Sequence, residues 1–204
     1  MKQVAKFISV VFHPLLLTTY LVIVLSYYFP SMLMIRKENR MIIIGLVFVF
    51  TFVLPAVILV MLRAFGTIQS LTLQSRRERI LPFVFISMFY VLFTFLFYFK
   101  LPFSANFEKL MMIVSALVVV SLLITFFYKI SIHSIAMGGG IGILLPLNQV
   151  TEQMSLLWPT AFTILATGLV MSSRLLLDAH TPREVMYGSV VGFVVGFFGM
   201  IILF

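Results

Sequence analysis

Ser173-Arg174-Leu175-Leu176-Leu177-Asp178-Ala179-His180-Thr181-Pro182-Arg183-Glu184 lies between two long apolar runs and gathers arginine, histidine and two carboxylates. Only 10% of the chain is charged, so this concentration stands out. A cation at the centre of a bilayer helix costs roughly 2.5–3.5 kcal/mol on insertion scales, so such groups belong at an interface or in a wet cavity, usually for function. The flanking runs approach bilayer-spanning length. The stretch therefore reads as a polar junction between two membrane helices.

The rest of the composition agrees. Of 204 residues, 62% are hydrophobic, and the mean hydropathy is +1.20. These values define an all-helical, multi-pass integral membrane protein rather than a soluble domain. Its expected home is a bacterial inner membrane. Cysteine is absent, which excludes disulfides, thiolate catalysis and thiolate metal sites. The three histidines are His13, His133 and His180, with no Cys/His or HExxH spacing, so no metal and no cofactor is expected. The net charge of +8 is scattered through short connections without a basic stripe. It fits loops that orient a membrane protein and meet anionic lipid, not nucleic acid. The start, Met1-Lys2-Gln3-Val4-Ala5-Lys6, resembles a signal-peptide n-region. Its apolar run continues at full span length without a small-residue cleavage site, which predicts a retained helix.

Seven apolar segments of about spanning length are legible: 4–29, 41–64, 80–100, 110–128, a shorter one opening after Lys129-Ile130-Ser131-Ile132-His133-Ser134, 156–173 and 184–204. They form one domain, residues 1–204. The first contains His13-Pro14, and the fifth contains Gly138-Gly139-Gly140. Trp158 is an expected interfacial anchor. Two crossings separate the Arg76-Arg77-Glu78-Arg79 cluster from His133, and two more separate His133 from Arg174 and His180. All three polar patches therefore fall on the membrane face of the N-terminus.

The last helix has a readable start. Thr181 is an N-cap, Pro182 suits the first helical position, and Glu184 completes a capping box. Gly188, Gly192 and Gly196 share one helix face and permit close packing against a neighbour. Asp178 reads as a loop residue. His13 either faces a cavity or satisfies a carbonyl freed by the Pro14 kink.

The pattern Ser173-Arg174-x5-His180-x3-Glu184 resembles the third signature of the type 2 phosphatidic acid phosphatase family, relatives in fold of the vanadium haloperoxidases. That signature is Ser-Arg-x5-His-x3-Asp. The second signature, Pro-Ser-Gly-His, is matched loosely by Ile130-Ser131-Ile132-His133. The first, Lys-x6-Arg-Pro, is matched in part: Arg79 takes the arginine place, Thr72 stands for the lysine and Ile80 for the proline. Arg76 or Arg77 is a candidate replacement for the lysine. The order and spacing of all three fit, over residues 66–200, with residues 1–65 as additional N-terminal helix.

The resemblance implies a phosphatase-like helical core and metal-independent hydrolysis of a lipid phosphate or pyrophosphate through a phosphohistidine. The chemistry is coherent on its own terms. An imidazole attacks phosphorus well when its other nitrogen is held by a carboxylate, which assigns His180 as nucleophile and Glu184 as its orienting group. Transition-state charge spreads over equatorial oxygens, which Arg79, Arg174 and the Ser131 hydroxyl would hold. His133 would protonate the leaving group. The expected substrate and partner is a phospholipid or isoprenoid-lipid phosphate within the membrane. The alternative is a non-catalytic protein that binds or transports such a lipid in the same cavity. A weaker third reading is an ion or proton channel built on the three histidines.

Overall fold

The computed structural model describes residues 1–70, 73, 75–100, 104–150 and 155–204, without the side chains of residues 100 and 150. Thr72, the residue in the lysine place of the first signature, lies outside the described residues. Among those described, every regular element is a helix. α1 (Lys2–Val11) and α2 (Pro14–Tyr28) precede the short α3 (Pro30–Leu33). α4 (Arg40–Phe48) runs through a π-helical turn, Val49–Val53, into α5 (Leu54–Ala64). α6 (Arg76–Lys100), α7 (Ala105–Phe127), α8 (Ile132–Val150), α9 (Leu157–Leu176) and α10 (Pro182–Leu203) complete the bundle.

Among the described residues, five helices are long and apolar enough to cross a membrane: Lys37–Ala64, Arg76–Phe99, Ala105–Phe127, Leu157–Leu176 and Pro182–Leu203. The α1–α2 pair would make a sixth, broken by a 57° bend. The count thus differs from the seven read in the sequence. The fifth expected span corresponds to α8, whose glycines, Pro146 and Asn148 dilute its hydropathy. Between 22 and 44% of each qualifying window is buried within the protein. Side chains such as Leu92, Leu165 and Ile202 point outward, as a lipid-facing surface requires.

Proline explains the irregular backbone. Pro14 opens α2 because its missing N–H is no loss at a helix start, and His13 caps that start by accepting from the Leu15 amide at 3.4 Å. The chain bends there. Within the α4–α5 run, Pro55 cannot donate to the Thr51 carbonyl, and the Tyr90 hydroxyl donates to it instead at 3.1 Å. The π-helical turn lies beside that substitution.

α8 stands at the centre, packed along α10. A Cβ on Gly188 would sit 2.7 Å from the Ser131 carbonyl oxygen, and one on Gly196 would sit 2.6 Å from that of Gly139. Gly192 approaches the Ile135 carbonyl closer still, and Gly138 and Gly142 of α8 return the contact against Ser189 and Phe193. The glycine face anticipated in α10 is therefore a backbone-to-backbone seam, the device by which helices associate where lipid competes with apolar side chains. α6 and α7 join differently, through a buried hydrogen bond between the Thr94 and Ser115 hydroxyls at 2.7 Å. The Phe97 and Phe107 rings also meet across this pair at 5.0 Å, and Phe93 of α6 stacks on Phe50 of the π-helical turn at 4.4 Å.

Candidate functional site

The α9–α10 junction folds as a tight turn. The amides of Leu177, Asp178 and Ala179 return to the carbonyls of Ser173, Leu175 and Arg174. Asp178 takes a left-handed conformation (φ 52°), which Asp tolerates better than most residues. The turn carries His180 back beside Arg174. Thr181 then caps α10, accepting from the Glu184 amide at 3.3 Å.

The carboxylate half of the expected capping box goes elsewhere. Glu184 Oε2 accepts from His180 Nδ1 at 2.6 Å, with side-chain exposures of 12% and 2%. A proton on Nδ1 leaves Nε2 of a neutral ring with a free lone pair. Burial pushes the His180 pKa down to about 4; Arg79 and Arg174 add to that, while the Glu184 hydrogen bond opposes it. His180 is therefore uncharged at neutral pH.

Hydrogen bonds tie the three polar patches together. Arg79, in the first turn of α6 and 6% exposed, donates through Nε to the Leu73 carbonyl (2.7 Å) and through Nη1 to the Ile130 carbonyl (3.1 Å). The Ser131 amide donates to the Glu184 carbonyl at 3.2 Å. Segments near residues 79, 130 and 184 thus meet at one end of the bundle. Arg174 also reaches this place from the last turn of α9, and its buried Nε has no hydrogen-bond partner among the described residues. The nearby carboxylate, Glu184, is already committed to His180. Two guanidinium groups thus share this place with one carboxylate that is already engaged.

Arg79, His133, Arg174 and His180 all line one cavity of about 1100 Å³. His133, at the start of α8, has Nε2 3.1 Å from the Ser9 carbonyl of α1. A carbonyl only accepts, so Nε2 carries a hydrogen and Nδ1 is the free nitrogen of the neutral ring. His13 faces the same cavity from the α1–α2 bend, its ring edge-on to His133 at 5.7 Å. Of its two anticipated alternatives, the cavity is the one realised.

Ser131 is placed differently from expectation. It is fully buried, its hydroxyl accepts from the Ser134 hydroxyl (2.9 Å) and amide (3.4 Å), and it is not part of the cavity wall. Standing directly before α8, it caps that helix, with its hydroxyl turned to Ser134. Arg76 and Arg77 do not line the cavity either, and Arg76 donates to the Phe126 carbonyl. Lys6 and Lys129 do line it. Neither belongs to a motif, though Lys129 stands only two residues before Ser131, a cue for its position. Asp178, also on the wall, forms an exposed ion pair with Lys2 at 3.1 Å that links the turn to α1.

No group of three or more His, Asp or Glu among the described residues is arranged to hold a metal. Comparison with protein-family models, with curated proteins and with solved structures returned no match.

Proposed function

We propose that this protein is a membrane phosphatase acting without metal on a lipid phosphate or pyrophosphate. The observation that carries this is the 2.6 Å His180–Glu184 bond set beside the unpartnered Arg174 Nε in one cavity. A neutral His180 offers Nε2 to phosphorus, and Glu184 stabilises the imidazolium as the covalent phosphohistidine forms. Arg79 and Arg174 neutralise the equatorial oxygens, with Lys6 and Lys129 adding charge at the cavity wall. His133, once a second proton sits on Nδ1, gives that proton to the leaving oxygen, and the neutral ring then takes one from the water that later releases phosphate. The resemblance to the type 2 phosphatidic acid phosphatase family, with Glu for Asp in the third signature, supports the same assignment.

The topology in this reading has seven crossings, with α1–α2 as one broken span and α8 as a short, enclosed one, in a bacterial inner membrane. The cavity supports a lipid substrate, because its cationic end continues into apolar wall. Candidates are phosphatidic acid, phosphatidylglycerophosphate, undecaprenyl pyrophosphate and a lipid A phosphate.

One observation favours a second reading, a lipid-phosphate binding or transport protein. His133 Nε2 is engaged by the Ser9 carbonyl and Ser131 by its own helix, so the site has fewer donors than the signatures imply. The test is phosphate release from those lipids by purified protein. Release abolished by His180→Ala supports the enzyme; saturable binding weakened by Arg174→Ala, without release, supports the binder.

A further inference from the structure

The three consecutive glycines of α8 have three different surroundings. A Cβ on Gly138 would strike the Ser189 backbone of α10, and one on Gly139 would meet the Leu117 side chain at 2.6 Å. A Cβ on Gly140 would meet only Thr163 Cγ2, at 3.7 Å. The first two are packing glycines. Gly140 opens onto the cavity, and nothing in the packing requires it to lack a side chain.

Gly140 belongs to a stripe. His133, Ala136, Met137, Gly140, Ile143 and Leu144 line the cavity at helical spacing along one face of α8. From His133 to Leu144 the stripe rises about 16 Å at ~1.5 Å per residue, roughly half of a bilayer's hydrocarbon thickness. Its upper end carries the histidines and arginines. Its lower part is apolar, faced by Pro159, Phe162 and Ala166 of α9 and by Leu21 of α2. The small residues Ala136 and Gly140 keep the middle of this passage wide.

A void of this size, larger than the roughly 300–1,000 Å³ usual for ligand sites, forfeits many dispersion contacts if left empty. The wall hydroxyls of Thr163, Ser121 and Tyr90 already donate to backbone carbonyls, which leaves water few polar partners there. Inside a membrane, the matching filler is an alkyl or isoprenoid chain. We infer that the apolar passage beside Gly140 is a binding arm for one long hydrocarbon chain of the ligand, with Gly140 and Ala136 setting the chain it admits. This rests on the proposed phosphate end only for the ligand's head group.

The test compares binding of hexadecyl phosphate, hexyl phosphate and the uncharged hexadecyl maltoside in detergent-solubilised protein. In the native chain, hexadecyl phosphate should bind much tighter than hexyl phosphate. Gly140→Leu, or Ala136→Leu as a second variant, should reduce that preference about tenfold, ~1.4 kcal/mol. Gly168→Leu, on the open face of α9, should keep it. A preference unaltered by both cavity variants, or absent from the native chain, overturns the arm. Should hexadecyl maltoside bind as well as hexadecyl phosphate, with Arg174→Ala harmless and Gly140→Leu damaging, the arm stands and the phosphate reading falls.

Discussion

His180 Nδ1 lies 2.6 Å from Glu184 Oε2, one helical turn further on, in a pocket that leaves the histidine side chain 2% exposed. Thr181 between them caps α10 with its own hydroxyl, so the carboxylate is released from helix capping and orients the ring instead.

Glu184→Gln removes the negative charge while keeping size and the backbone cap. The account predicts a kcat lower by about 10²-fold or more, the range of a lost acid–base or orienting group. Thermal unfolding in detergent should change little. Glu184→Asp should retain more activity than Glu184→Gln.

The pH profile follows from the His180 environment. Its folded value of about 4 lies below the ordinary 6.5, so the neutral nucleophile persists as pH falls through 6.5. The acidic limb of kcat/KM should therefore appear only near pH 4. Arg174→Gln removes a positive charge that holds the value down, so the limb should move to higher pH. Stability has the corresponding sign. Between pH 6.5 and about 4 the unfolded chain takes up a proton that folded His180 refuses, so this group's contribution falls as pH drops across that window.

The glycine seam gives a stability prediction with an internal control. Gly192→Ala forces a methyl into the Ile135 carbonyl and should destabilise the protein by about 2 kcal/mol or more, as overpacking does. Gly168→Ala, with open space around it in α9, should be neutral or stabilising by up to ~1 kcal/mol through helix propensity. Thermal melts of the two variants in one detergent would show the difference.

Ser131→Ala separates helix capping from substrate binding. Because the hydroxyl meets Ser134 and not the cavity, the substitution should cost about 1 kcal/mol of stability and leave KM within a factor of two. Arg174→Ala should instead raise KM for a lipid phosphate at least about tenfold, the loss of one charge-assisted contact.

The helices were legible in the sequence because hydropathy runs and polar junctions mark them directly; α10 begins at Pro182, where Thr181 and Pro182 predict it. The meeting of the 79, 130 and 184 segments was foreshadowed by counting crossings. Less was visible where tertiary contact decides the outcome. The π-helical turn at Val49–Val53 involves Tyr90, almost forty residues away, and Pro55 alone does not announce it. Lys6 and Lys129 look like ordinary loop and end charges until α1 and α8 are packed around one cavity. Ser131 misled because a motif position fixes a residue in the chain but not the direction of its hydroxyl, which here closes on Ser134. Gly138, Gly139 and Gly140 are identical in sequence, and only their neighbours tell the two packing glycines from the open one.

The most direct measurement is phosphate release from a panel of lipid monophosphates and diphosphates by the purified protein and by His180→Ala, with acid-stable and acid-labile phosphate on the protein followed in parallel. The account predicts turnover of at least one lipid without added metal, an acid-labile phosphoprotein, and a loss of about 10³-fold or more in the variant. No release from any lipid, or release untouched by His180→Ala, would contradict it.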